Sequence, residues 1–117
     1  MNSEEFVSAI ERYVVDAAIT NMIAVLKAPL GRRVNAPERA LSNWYNGLAP
    51  EGVQCVNLVI ESAVREAVFG LLTVLDGART IDDEAGTFEL IYSAPGVRRL
   101  LNDPASIGLH DLFNDQK

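Results

Sequence analysis

The chain has a single histidine, His110, which lies beside Asp111 and shortly after Asp103. A histidine paired with a carboxylate can act as a general base. Hydrolysis by a Ser-His-Asp triad also needs a nucleophile held in a strained turn, and the GxSxG pattern of that turn is absent. We therefore expect His110 to be a structural or surface residue, with general base and metal ligand as the two alternatives.

One cysteine and one glutamate are the other candidates for chemistry. Cys55 lies between Val53 and Val56, which predicts a buried, unreactive thiol rather than a thiolate. One cysteine allows no intramolecular disulfide, and one cysteine with one histidine leaves a zinc site short of ligands. Glu66 adjoins a helical segment that we expect to be buried, where the pKa of a carboxylate rises or the carboxylate needs a cation, and this makes Glu66 the one candidate for a functional acid. The sequence therefore predicts no metal, no cofactor and no enzymatic activity.

Three consecutive acids, Asp82, Asp83 and Glu84, follow Asp76 in the segment 76–86, DGARTIDDEAG. A calcium loop needs oxygen ligands at alternate positions, a glycine at the bend and a closing glutamate, and this segment lacks that order. Two interpretations remain, an exposed acidic loop without a role and a docking surface for a basic protein. In the second interpretation these four acids are the contact residues.

The only basic segment is residues 27–39, which contains Arg32, Arg33 and Arg39. These arginines could hold a phosphate or a carboxylate, although the segment also suits a solvated linker. Trp44 and Tyr45 follow within a short predicted helix. Adjacent aromatic residues of this kind are typical of a core plug or of an anchor at a protein interface.

The strongest helical pattern covers residues 53–75, where apolar side chains recur every three or four positions. Residues 67–75 are apolar on nearly every side, so we expect this half to be enclosed. Gly70 within it indicates the close approach of another backbone. Glu61 stands four residues before Arg65, which predicts an ion pair on the helix surface.

Two more helices and a hairpin complete the predicted fold. Residues 2–26 open with a capping box, Asn2 followed by Glu5, and residues 35–47 form a short connecting helix. Residues 87–92 and 97–101 alternate as two strands, with Glu89 across from Arg98 or Arg99, and a closing helical turn follows. The predicted class is α+β and mostly helical, a single domain of residues 1–117 with two long antiparallel helices.

Composition excludes several classes of partner. The chain has 117 residues and a formal net charge of −6, which argues against binding to nucleic acid or to an anionic membrane surface. The same charge favours a basic protein partner. The acidic N-terminus, MNSEEFVSAIERY, has no basic region and no apolar core of a signal peptide, so we expect a cytoplasmic protein.

The pieces VLDG (residues 74–77) and LLNDP with LHDLFN (within residues 100–114) resemble small bacterial proteins that have a helical body and a C-terminal hairpin. The resemblance covers about the last 45 residues. It implies a fold, and it implies no activity and no functional residues.

Two functional hypotheses follow. The first is a non-catalytic protein-binding domain that covers a basic partner, in the manner of bacterial immunity proteins and antitoxins, which makes a toxin the expected partner. Its contacts are Asp76, Asp82, Asp83 and Glu84, with Trp44 and Tyr45 as anchors. The second is a domain that binds a small anionic metabolite through Arg32, Arg33 and Arg39. The wide apolar helix faces also predict a homodimer.

Overall fold

The computed structural model describes residues 1–31 and 33–116. It is mostly helical, with a two-stranded antiparallel hairpin and a short C-terminal helix, which confirms the predicted α+β class. The helices are α1 (Ser3–Ile10), α2 (Ala17–Lys27), α3 (Ala36–Asn46), α4 (Pro50–Leu75) and α5 (Leu109–Asn114). The strands are β1 (Ile91–Ala94) and β2 (Val97–Leu100).

The chain divides into two compact units. The terminal unit comprises Met1–Val15 and Arg65–Lys117, and the middle unit comprises Asp16–Val64. Each unit has its own buried side chains and is described by itself below. The expectation of a single domain stays a prediction.

The capping box at the start of α1 is present as predicted. The Asn2 side chain accepts a hydrogen bond from the backbone N–H of Glu5 at 2.8 Å. In return, the Glu5 carboxylate accepts one from the backbone N–H of Asn2 at 3.2 Å. Two donors that the helix cannot satisfy internally are thereby satisfied by its first turn.

A π-helical segment, Glu11–Asp16, joins α1 to α2. A π turn holds more residues than an α turn, so the side chains after it are rotated around the helix axis. Tyr13, Val14 and Met22 are exposed in this stretch, which the sequence predicts as one uninterrupted helix over residues 2–26. The buried residues of this stretch are instead Val7, Val15 and Leu26.

The middle unit contains α2, α3 and the first part of α4. Asn35 caps α3 by accepting a hydrogen bond from the N–H of Glu38 at 2.8 Å, and α3 packs against α2. The Tyr45 hydroxyl donates to Asn57 Oδ1 at 2.9 Å, which ties α3 to α4. The latter helix begins at Pro50 rather than at the predicted residue 53, because a proline suits the first helical turn.

In the terminal unit, α4 ends in a Schellman motif. Gly77 has φ +78°, the left-handed conformation expected of a glycine past a helix end. The N–H groups of Gly77 and Ala78 donate to the carbonyl oxygens of Val74 and Thr73, each at 3.0 Å. The predicted end of the helix at residue 75 is therefore confirmed.

The second half of α4 is enclosed on one side only. Gly70, Leu72 and Thr73 are buried, whereas Ala67 and Leu71 are exposed, so the expectation of complete enclosure is wrong. The space above Gly70 is occupied by a side chain rather than by another backbone. A Cβ atom at Gly70 would lie 2.8 Å from Nη1 of Arg79.

Asn102 joins three segments of the terminal unit. Its buried side chain donates from Nδ2 to the carbonyl oxygens of Leu75, at 2.7 Å, and Phe88, at 2.8 Å. Its Oδ1 accepts from the N–H of Leu90 at 2.8 Å. The amide group of Asn102 thus ties the segment after β2 to the end of α4 and to the residues before β1.

The hairpin is shorter than predicted for the same reason. The Phe88 carbonyl oxygen and the Leu90 N–H bond to the Asn102 side chain, while the Leu90 carbonyl oxygen accepts from the N–H of Leu101 at 2.8 Å. Strand β1 therefore begins at Ile91, opposite Leu100. Arg99 lies across from Tyr92 and Arg98 across from Ser93. The predicted pairing of an arginine with Glu89 is therefore wrong.

The predicted closing turn is α5, which packs against α1. Its buried residues are Leu109 and Phe113. Beside it, the Ser3 hydroxyl donates to the carbonyl oxygen of Leu101 at 2.7 Å. Among the described residues, no helix has the length and apolar character needed to cross a lipid bilayer.

We expect Asn102→Ala to lower the free energy of unfolding by about 3 kcal/mol. The substitution removes three part-buried hydrogen bonds and leaves their backbone groups without these partners. Urea unfolding followed by circular dichroism measures the change. Asn114→Ala, at an exposed position of α5, is the control and should cost less than about 1 kcal/mol. Equal losses in the two variants would contradict this role of Asn102.

Candidate functional site

The chemically distinctive cluster of the terminal unit is formed by Asp76 and His110. Asp76 Oδ2 accepts a hydrogen bond from the backbone N–H of His110 at 2.8 Å. The same oxygen lies 2.5 Å from Nδ1 of the His110 ring. Nδ1 is the donor in this contact because a carboxylate can only accept.

Asp76 supplies the N-terminal cap that α5 cannot supply for itself. The cap position of α5 is Gly108, which has no side chain to accept from the first turn. A Cβ atom at Gly108 would lie 2.9 Å from Asp76 Oδ2 and 3.1 Å from the His110 ring. The glycine therefore makes room for a carboxylate that reaches the helix from another part of the chain.

The position of Asp76 just past the end of α4 explains why it needs these donors. The carboxyl end of a helix carries a partial negative charge, which disfavours a carboxylate there. The positive end of α5 and the imidazole N–H both face Asp76 and offset that repulsion. The Asp76 side chain is only 7% exposed, so this offset operates away from bulk water.

The other contacts of the His110 ring are with Asp111 and Phe69. Its Nε2 lies 3.6 Å from Asp111 Oδ1, and the Phe69 ring meets the imidazole edge-on with centroids 5.8 Å apart. No hydroxyl or thiol is hydrogen-bonded to this ring among the described residues. The arrangement therefore positions α5. Sequence alone suggested Asp111 and Asp103 as partners and missed Asp76.

A second ion pair of the terminal unit joins Arg65 to Glu11. The Arg65 guanidinium also lies over the Phe113 ring, 4.8 Å from its centroid. The predicted partner of Arg65 was Glu61, which is exposed, so the predicted surface pair is replaced by a more buried one. Because removal of two charges from water offsets much of their attraction, a buried pair of this kind adds little net free energy of unfolding.

The acidic residues separate into two groups. Asp82, Asp83 and Glu84 are all exposed in the loop between α4 and β1. None of the ion pairs of the described chain involves them. The Asp76 carboxylate is hydrogen-bonded to His110 at the start of α5, so it does not belong to the exposed group. We name Asp82, Asp83 and Glu84 the acidic loop.

The two aromatic candidates of the middle unit also differ. Trp44 is 54% exposed, whereas Tyr45 is 2% exposed and is held by Asn57. Leu41 lies one helical turn before Trp44 and is also exposed. We name Leu41 and Trp44 the α3 pair. Trp44 is therefore available as an anchor, and Tyr45 is the core plug that the sequence offered as the alternative.

The remaining candidates are on the surface. Arg33 and Arg39 are exposed, and Arg32 lies outside the described residues. Glu66 is exposed, which removes the expected need for a cation. Cys55 is exposed as well, so the expectation of a core thiol is wrong. Within residues 1–31 and 33–116, no group of three or more His, Cys, Asp or Glu side chains could hold a metal ion.

Comparison with known proteins finds no family model that matches the chain, and no curated protein or solved structure that is significantly similar to it. The functional argument therefore depends on the side chains described above. In the sequence, the signal for the Asp76–His110 contact is Gly108, the residue just before LHDLFN, where a polar cap is usual.

We expect Asp76→Asn to lower the free energy of unfolding by about 2 kcal/mol, because an uncharged amide is a weaker acceptor for two donors. Thermal and urea unfolding measure the loss. Asp111→Asn changes the same chemical group at a side chain that is 65% exposed, and it should cost less than about 0.5 kcal/mol. Unchanged stability in Asp76→Asn would show that the contact does not hold α5.

Proposed function

We propose that the chain is a non-catalytic protein-binding domain whose partner is a basic protein. The observation that carries this proposal is the α3 pair, in which a tryptophan and a leucine remain exposed on one helix. Exposed tryptophan is enriched at protein interfaces, where it supplies a large contact area for little loss of conformational freedom. Burying this pair against a partner removes apolar surface from water.

The core of the middle unit supports the same conclusion. Its buried apolar side chains are Leu26 and Tyr45, while the α3 pair and Met22 remain exposed. Core burial is the main source of stability in a domain, and small cores leave little margin. A partner that covers exposed apolar side chains therefore stabilises this unit as well as binding to it.

Charge selects the class of partner. The chain carries a formal net charge of −6. Within it, the three neighbouring carboxylates of the acidic loop repel one another. A basic surface relieves that repulsion and is attracted over a distance of about 8–10 Å at physiological ionic strength. We therefore assign the acidic loop to recognition and to the rate of association, and the α3 pair to the lifetime of the complex. An immunity or antitoxin role, with a basic toxin as partner, fits this chemistry.

The first test removes the charge of the acidic loop without changing its shape. The variant Asp82→Asn, Asp83→Asn, Glu84→Gln should bind the partner about 10-fold more slowly at low salt, with a weaker dependence on ionic strength. Tagged wild-type protein and the tagged variant are used in parallel to capture the partner from an extract of the source cells. Surface plasmon resonance then measures the association and dissociation rates of the captured partner with each.

The matched control removes the same charge elsewhere, with Asp16→Asn, Glu61→Gln and Glu66→Gln at exposed positions. This control should retain most of the wild-type association rate, because only long-range attraction is reduced. An acidic partner, or equal rates for the two triple variants, would overturn the role of the acidic loop.

The second test uses Trp44, the only tryptophan of the chain, as both anchor and probe. Binding should shift its fluorescence emission to shorter wavelength, because the partner excludes water from the indole. Trp44→Ala should raise the Kd by about 30-fold, mainly through faster dissociation. Leu30→Ala, at a more exposed apolar side chain in a loop, should change the Kd less than about 2-fold. An unshifted emission spectrum in the complex would exclude Trp44 from the interface.

A further inference from the structure

The more exposed strand of the hairpin in the terminal unit is β2. Three of its residues, Val97, Arg98 and Arg99, are exposed, whereas β1 has one exposed residue, Ser93. Successive side chains of a strand point to opposite faces of the sheet, so both faces of the hairpin are open to solvent along β2. The sheet has two strands, so β2 also has one edge without a neighbouring strand in that sheet.

The register of the hairpin shows which backbone groups lie at this edge. The N–H of Leu101 donates to the carbonyl oxygen of Leu90 at 2.8 Å, so these two residues form a hydrogen-bonded pair. Hydrogen-bonded and non-hydrogen-bonded pairs alternate along an antiparallel ladder. Arg98 and Leu100 therefore belong to non-hydrogen-bonded pairs, and their N–H and C=O groups point away from β1. An added strand would bond to these groups.

The charge of the hairpin is opposite in sign to that of the chain. Residues 90–102 contain Arg98, Arg99 and no acidic residue, although acidic residues outnumber basic ones by 16 to 10 in the whole chain. Neither arginine forms an ion pair with another of the residues that the structure describes. Because the two arginines are adjacent in the strand, each face of the hairpin carries one of them. A strand that pairs with β2 therefore meets a positive charge on both faces.

We propose that the edge of β2 binds an extended segment of another protein, in which two adjacent acidic residues lie between apolar ones. The residues opposite Arg98 and Arg99 in the added strand are neighbours, and acids at both positions give one pair of opposite charges on each face. Val97 and Leu100 flank the arginines and favour apolar, β-branched residues opposite them. The segment is acidic locally, whatever the overall charge of its protein, so this contact is independent of the proposed basic partner.

Charge and strand propensity both disfavour a second copy of this chain at the same edge. Two β2 strands paired in register place arginines opposite arginines, and like charges in direct opposition destabilise a sheet. The acidic loop of a second copy is also a poor strand. Asp82 and Asp83 are of a type that is depleted in strands, as are Ala85 and Gly86, which follow the loop. The edge therefore favours a strand-forming segment of a different protein.

A synthetic peptide with the sequence TVEEVT, blocked at both ends, is the probe. We expect it to bind the chain with a Kd on the order of 100 µM at low salt, and more weakly as salt is added. Amide hydrogen exchange followed by NMR should slow at Arg98 and Leu100, whose N–H groups point outward. It should change little at Arg99, whose N–H points toward β1. The uncharged peptide TVQQVT should bind about 10-fold more weakly, because it lacks both ion pairs.

The variant Arg98→Gln with Arg99→Gln should lower the affinity for TVEEVT by about 10-fold and leave the affinity for TVQQVT unchanged. Arg33→Gln with Arg39→Gln removes the same charge at exposed positions of the middle unit, and it should change either affinity less than about 2-fold. Circular dichroism verifies that both variants keep the wild-type helix content.

Four results would each overturn the proposal. The first two are no binding of TVEEVT by the wild-type chain and equal Kd values for the two peptides. The third is unchanged exchange at Arg98 and Leu100 in the presence of saturating TVEEVT. The fourth comes from sedimentation equilibrium of the chain alone, which should show no association through β2. A wild-type dimer that the Arg98→Gln, Arg99→Gln variant loses would assign the edge to a second copy.

Discussion

The carboxyl end of α4 is the constraint on which the terminal unit depends. A helix leaves its last carbonyl oxygens without internal partners. At the end of α4, donors from different segments of the chain bond to these oxygens. The N–H groups of Gly77 and Ala78 donate to two of these oxygens, and the Asn102 side chain donates to the carbonyl oxygen of Leu75. Asp76, at the same end, then holds His110 and with it α5. The hairpin and the last helix are therefore both positioned by the last turn of α4.

This arrangement gives the one histidine a structural role. An aspartate that orients Nδ1 of a histidine is half of a general-base site, but the same aspartate here also caps α5. Asp111 Oδ1 lies 3.6 Å from Nε2, the other nitrogen of the ring. The contacts between Asp76 and His110 hold α5 in place, and the proposed function depends instead on the exposed side chains of the α3 pair and the acidic loop.

Local patterns predicted the local structure well. Caps at Asn2 and Asn35 and the glycine stop at Gly77 involve residues within one or two turns, so their partners can be read from spacing. Contacts between distant segments could not be predicted in this way. Asp76 and His110 are 34 residues apart, and Arg65 bypasses Glu61 for Glu11, which is 54 residues away. The π segment also rotated the buried face of the first helix, because a fixed 3.6-residue period assumes an unbroken helix.

In the proposed complex, the acidic loop and the α3 pair depend on different physical forces. Attraction between the acidic loop and a basic protein weakens as salt screens the charges. Burial of the α3 pair depends on the removal of apolar surface from water, which salt does not screen. Raising the ionic strength should therefore slow association with the basic partner more than it speeds dissociation of the complex. The acidic loop contains three of the 16 acidic residues of the chain, so the remaining negative charge also contributes to the long-range attraction.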